Sequence, residues 1–279
     1  GMINEQVNGV TAYLALKELD AKYDALEEAF LDKLERLRQA LFQPAGLKIA
    51  MTGSAADIAT MKACTAAIEN SLPGAAPPAE AIVFPELLQR QAFITSAEVV
   101  YNVQGCKLFT NPNQHNGAFE VLKTWLSRDY LWNTVRQLGG AYGCFVQFQP
   151  ISGNLAVISY RDPQVEKTYA AYDAVAEAVY GLDLSRAKLD QLIIGTYGSL
   201  NPLRSPAAEG AKARDAHLCG ITLEHRQQII EQALDAETEE LLSFAPVLEN
   251  LQRKSVRASI GSGDKIKAAA KLFENVTAL

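Results

Sequence analysis

Histidine is scarce in this chain: His115, His217 and His225 are the only three in 279 residues. A zinc hydrolase helix needs two of them about one turn apart with a glutamate alongside, as in His-x-x-Glu-His. That spacing turns both imidazoles to one metal and the carboxylate to its water. No such arrangement occurs. LEHR around His225 has no second histidine in register, and the Gly220 break separates His217 from His225 with no carboxylate serving both. Surface or packed histidines are the simpler reading. Cysteine is equally sparse: Cys64, Cys106, Cys144 and Cys219 stand far apart without a CxxC pair. Their apolar neighbourhoods predict buried reduced thiols rather than disulfides or metal ligands.

Other absences narrow the function classes further. There is no basic cluster, and 26 Lys and Arg against 32 Asp and Glu leave a net charge of -6, which disfavours a nucleic-acid partner. No apolar run approaches the roughly 18 residues of a membrane helix and no charged, apolar leader opens the chain, so nothing addresses it to a membrane and the cytoplasm is the expected compartment. The chain begins Gly1-Met2, as a cleaved expression tag leaves it, so its natural start is expected to lie elsewhere. Two glycine-serine turns, TGSAAD and GSGDK, invite a phosphate reading at helix N-termini, but neither is GxGxxG or GxxxxGK[ST]. GTYGSL at Gly195 is not a GxSxG elbow and has no base to pair with.

What is present is an ordinary globular composition, with 48% hydrophobic and 21% charged residues, long enough for one large or two smaller domains. Apolar residues at Leu19, Tyr23, Leu26, Phe30, Leu34, Leu37 and Leu41 fall in steps of three and four, predicting one face of a long amphipathic helix that Pro44 and Gly46 end. GLKIAMTGS reads as a buried strand into a tight turn, followed by a helix from about Ala56 to Leu72. PGAAPPAEA reads as a surface loop, and AFITSAEVVYNVQGCKLF as one or two strands. Helical spacing covers residues 117–138. AYGCFVQFQP and LAVISYR then form a hairpin through PISGN. Asp162-Pro163 predicts a helix start with Asp as N-cap. Three or four helices are expected over 163–252, broken at Gly181, Asn201-Pro202, Gly220 and Asp235, before a last strand VRASIG and a final helix. The fold class is therefore α+β: a mixed, largely antiparallel sheet with helices on one face, preceded by a long amphipathic helix.

One stretch carries more than it needs. VRQLGGAYG, Val135 to Gly143, stops a helix with Gly139 and Gly140, for which left-handed backbone costs nothing. Arg136 and Tyr142 bracket the break. In one reading they are a helix-dipole cation and a packed strand aromatic. In the other they form a donor pair aimed at a carbonyl or oxyanion, since neither residue type is a base near neutral pH at its ordinary pKa.

The block DYLWNTVRQLGGAYG followed by a hairpin ending in SYRDP resembles the C-terminal half of the presequence-protease branch of the pitrilysin/insulinase zinc metallopeptidases. The likeness extends more weakly over the rest of the chain. It implies a protease of two half-shells that close around a peptide, zinc being bound by an inverted motif in the N-terminal half. It also implies that Arg136 and Tyr142, with the backbone at Gly139 and Gly140, bind the substrate and its transition state. Because this chain has no His-x-x-Glu-His, the resemblance implies a C-terminal domain at 44–279, with residues 1–43 a helical lead from a missing upstream domain. Zinc would belong to the full-length enzyme and not to this chain. The expected partners are a peptide substrate and the N-terminal half, and the chain alone is expected to be inactive. A non-catalytic scaffold subunit of the same superfamily is the alternative.

Overall fold

The computed structural model describes residues 2–72, 88–111 and 114–279. The chain forms two compact units, one of residues 1–86 with 204–214 and the other of residues 87–203 with 215–279. This partition differs from the expected division at residue 44, because residues 44–72 group with the helices before them.

The first unit contains helices α1 (Met2–Asn8), α2 (Val10–Ala21), α3 (Tyr23–Leu41) and α4 (Ala55–Asn70). The single long helix expected across Leu19 to Leu41 is interrupted at Lys22, whose N–H bonds Leu19 O at 3.2 Å. The apolar stripe is real in sequence, yet no described side chain of residues 4–72 is buried. GLKIAMTGS is likewise not a buried strand: residues 47–52 make no ladder, and Ile49 is 44% exposed. A strand needs a neighbour for its backbone N–H and C=O groups, and the described part of this unit has no strand to offer. The following turn is a capping box. Ser54 Oγ accepts the Asp57 N–H at 3.2 Å, and the Asp57 carboxylate accepts the Ser54 N–H at 3.1 Å. PGAAPPAEA lies outside the described residues.

The second unit holds a six-stranded sheet in the order β3-β4-β2-β5-β1-β6. Its strands are β1 (Arg90–Thr95), β2 (Val100–Lys107), β3 (Gly143–Gln149), β4 (Asn154–Asp162), β5 (Val256–Ser262) and β6 (Asn275–Ala278), the last of which was not expected. β2, β3, β4 and β5 pair antiparallel, while β1 runs parallel to both β5 and β6. The sheet is thus mixed and largely antiparallel, as expected. The hairpin forms where predicted, with Gly153 at φ +67 closing its turn.

Alternation sets one buried face: Ala92, Asn102, Gln104, Cys106, Val146, Phe148, Leu155, Val157 and Ser159 point in, while Tyr101 and Phe145 point out. Helix α5 (Gly117–Trp125) covers it with α6 (Glu166–Asp173), α7 (Val175–Tyr180), α8 (Arg186–Leu200), α10 (Leu223–Leu234), α11 (Thr238–Leu242), α12 (Ala245–Leu248) and α13 (Asn250–Arg253), while α9 (Pro206–Leu218) is divided between the two units. Eight helices replace the three or four expected. The predicted breaks hold, and the extra ones are interruptions of one or two residues that periodicity does not register, such as Ala174 between α6 and α7. The core centres on Phe109, Phe119, Phe148 and Phe244, with Phe119 and Phe148 ring centroids 4.9 Å apart.

A buried polar strip crosses this core. Asp162 does not cap a helix beginning at Pro163: it closes β4, and α6 starts later with Val165 as N-cap. Its carboxylate accepts from Ser159 Oγ at 2.6 Å, Thr168 Oγ1 at 2.7 Å, the Gln164 N–H at 2.8 Å and Asn102 Nδ2 at 3.2 Å. Four donors satisfy it without a cation, which is why an Asp can sit fully buried there.

Candidate functional site

The helix that begins as α5 does not remain α-helical. Leu126–Tyr130 and Trp132–Gln137 adopt π geometry, whose wider turn is rare and collects at functional sites. Three bonds then close it: Leu138 N–H to Asn133 O at 3.0 Å, Gly140 N–H to Arg136 O at 2.9 Å, and Ala141 N–H to Val135 O at 3.2 Å. Gly140 sits at φ +82, where a side chain would be strained. A Cβ on Gly139 would stand 2.4 Å from Val135 O. The glycines are therefore demanded by loop closure. Gly140's amide is occupied by Arg136 O, so what that residue lends the site is shape.

This closure leaves the two predicted side chains on either side of one loop. Arg136, half-buried, lays its guanidinium 3.7 Å from the ring centroid of Trp132, one turn earlier. Tyr142 is 60% exposed although its neighbours Ala141 and Gly143 are buried. Its ring stands edge-on to Tyr160 at 5.5 Å, the Arg161 guanidinium lies 5.5 Å from its centroid, and its N–H bonds Arg161 O at 3.3 Å. A Cβ on Gly143 would meet the Tyr160 ring at 2.3 Å, so only glycine lets that ring lie under the loop. Five N–H donors from the guanidinium and one O–H from the phenol are available, and neither side chain is committed to the core. Sequence reasoning did not single out Trp132, Tyr160 or Arg161. The i, i+4 spacing of Trp132 and Arg136 was a legible signal for the first; nothing local marked the others.

The remaining candidates resolve into packing. His115 is buried, with Nε2 2.8 Å from Glu120 Oε1 and its ring against Phe148, and is closed to any metal. The Thr222 hydroxyl in front of His225 accepts its N–H at 3.1 Å, an ordinary helix cap. Among the described residues, no three His, Cys, Asp or Glu side chains converge as metal ligands, so the residues present do not fit zinc. Cys106 is buried and Cys144 partly so, with burial pushing both thiols up to about 11. Cys64 and Cys219 are exposed, contrary to expectation: their apolar neighbours belong to helices that leave these positions uncovered. In the GSGDK turn, Gly261 has φ +141, and a Cβ there would stand 2.1 Å from Val99 O. That glycine serves strand packing rather than a phosphate. In TGSAAD the Asp57 carboxylate already occupies the helix start. Among the described residues no helix is long and apolar enough to cross a membrane.

Comparison with known proteins bears on the family and the fold. Residues 90–261 match the family described as the PreP C-terminal domain. Presequence protease 1, chloroplastic/mitochondrial, of Arabidopsis thaliana is 29% identical over 272 residues, covering 96% of this chain and 25% of that protein. Protein HypA of Clostridium perfringens is 27% identical over 276 residues, covering 99% of this chain and 28% of its own length. The chain thus spans about a quarter of the length of these curated relatives. Among solved structures, the peptidase M16 inactive domain from Pseudomonas fluorescens superposes with a TM-score of 0.53 at 15% identity, over 74% of this chain and 51% of that one. A protease from Helicobacter pylori gives 0.52 at 16%, over 75% and 53%. At these identities the structures speak to fold alone. The family model, which spans β1 to β4 with the glycine loop, the hairpin and most of β5, shows that this chain belongs to the PreP C-terminal domain family.

Proposed function

We propose that this chain is the C-terminal part of a zinc metalloendopeptidase that degrades short unfolded peptides, and that it supplies substrate and transition-state donors while the metal is held elsewhere. The observation that carries the reading is Tyr142, an exposed phenol between two buried residues on the loop that follows the π-helical turn carrying Arg136. A phenolic O–H suits the oxyanion of a tetrahedral intermediate, because it donates most strongly when charge has developed on that oxygen. The Arg136 fork suits peptide carbonyls or a terminal carboxylate, and its Trp132 stack limits the entropy lost on binding. Gly139 and Gly140 shape the loop against which the peptide backbone lies. Among the described residues no group of His, Cys, Asp or Glu fits a zinc ion, so on this reading the nucleophile and its activation belong to the N-terminal half.

The test is Tyr142→Phe in the full-length protease, assayed on an unstructured peptide. Loss of a transition-state donor should lower kcat by about 10²- to 10³-fold with KM nearly constant. Unchanged kcat would remove Tyr142 from the chemistry, leaving the scaffold reading. Arg136→Lys should mainly raise KM, since an ammonium has neither the fork nor the planar stack.

A further inference from the structure

β4 breaks its own alternation near its end. Leu155, Val157 and Ser159 point into the core, so a regular strand would send Arg161 inward and Asp162 out to solvent. The reverse is observed. Val100 pairs with Asp162 but Asn102 pairs with Ser159, so Tyr160 and Arg161 together oppose Tyr101 alone: a β-bulge. Arg161 takes the left-handed conformation, φ 48, and is the one non-glycine residue among those described to do so. That conformation normally belongs to glycine at a bulge of this kind, and it strains an arginine, whose Cβ crowds the following carbonyl. The buried carboxylate of Asp162, held by its four donors, keeps the register that imposes it.

The strain has a visible product. The bulge turns Arg161 out of the core and lays its guanidinium 5.5 Å from the centroid of the Tyr142 ring, while its carbonyl accepts the Tyr142 N–H at 3.3 Å. Tyr160, the other bulge residue, meets the same ring edge-on. A glycine at 161 would relieve the backbone and keep the carbonyl, but it would lose the cation. Resting on the function proposed above, we infer that Arg161 is a positioning residue for Tyr142: its guanidinium holds the phenol ring at the angle that presents the hydroxyl to the reacting carbonyl. Arg161 does not touch the substrate. It acts through the ring.

The variants separate backbone from side chain. In the full-length protease, Arg161→Gly should fold at least as well as the parent, with an equal or higher urea midpoint, because the left-handed site suits glycine. It should nonetheless lower kcat about five- to tenfold with little change in KM, the size expected for one cation–π contact. Arg161→Lys, which retains a cation, should recover most of that loss. In a Tyr142→Phe background the Arg161→Gly effect on kcat should vanish, since no hydroxyl remains to be aimed. A parental kcat in Arg161→Gly would overturn the inference. So would an effect on kcat that persists at full size beside Tyr142→Phe. If Tyr142→Phe alone is silent, the functional reading itself fails, and that outcome is distinguishable because it needs no change at 161.

Discussion

At the scale of single residues, chemistry follows from which atoms the backbone leaves exposed. Cys106 and Cys144 have thiols raised to about 11 by burial, whereas Cys64 and Cys219 stand open. Since the thiolate is the nucleophile, iodoacetamide at pH 8 should label Cys64 and Cys219 at least about tenfold faster than the other two, as mass spectrometry of timed digests would read. Equal rates at all four would contradict this burial. The roles of Gly139 and Gly140 were legible from type alone, because two adjacent glycines after a helical run end it whatever lies around them. Arg136 and Tyr142 were visible only as two polar side chains in an odd place. Trp132, Tyr160 and Arg161 had no local mark beyond the spacing of the first, since a ring stacked beneath a loop is a tertiary fact.

At the scale of elements, a buried ionic nest fastens α5 to the loop before it. Glu120 is 5% exposed and pairs with His115 at 2.8 Å and with Lys123 on its own helix. Burial pushes its carboxyl up, but hydrogen bonds and charge from His115 and Lys123 outweigh it, so the net shift is below the ordinary value of 4.5. A folded-state value below the unfolded one means the carboxylate stabilises the fold at neutral pH, and that contribution is lost as pH falls beneath 4.5 through the folded value. Glu120→Gln should therefore cost about 1 to 3 kcal/mol at pH 7. In paired urea titrations, the gap from the parent should shrink on acidification. A gap independent of pH would show that the charge is immaterial. The hairpin and the helix breaks were legible at this scale because alternation and glycine punctuation are local. The β-bulge was not. SYRDP looks like a helix cap until the buried donors around Asp162 are known, and those come from β2 and α6.

At the scale of the whole molecule, the proposed function divides a metallopeptidase between this chain and residues outside it. Purified after EDTA and dialysed against micromolar zinc, the chain should carry well under one equivalent by mass spectrometry of the metal and cleave no unstructured peptide. Stoichiometric zinc, or cleavage blocked by a chelator, would overturn the division of labour proposed above. Composition, charge, the α+β class, the hairpin and the glycine loop were legible in the sequence alone, for they depend on period, propensity and residue type within windows of a few residues. Burial and partnership were decided by the tertiary structure. The same alternating apolar pattern is a central strand at β5, flanked by β1 and β2, but an unpaired exposed segment at 47–52. Likewise Asp162 and Arg161 exchange the faces that alternation assigned them. The reason is the same in both cases. Where a backbone finds its hydrogen-bond partners depends on strands distant in sequence, and that choice sets which side chain faces the core and which, like Tyr142, is left facing out.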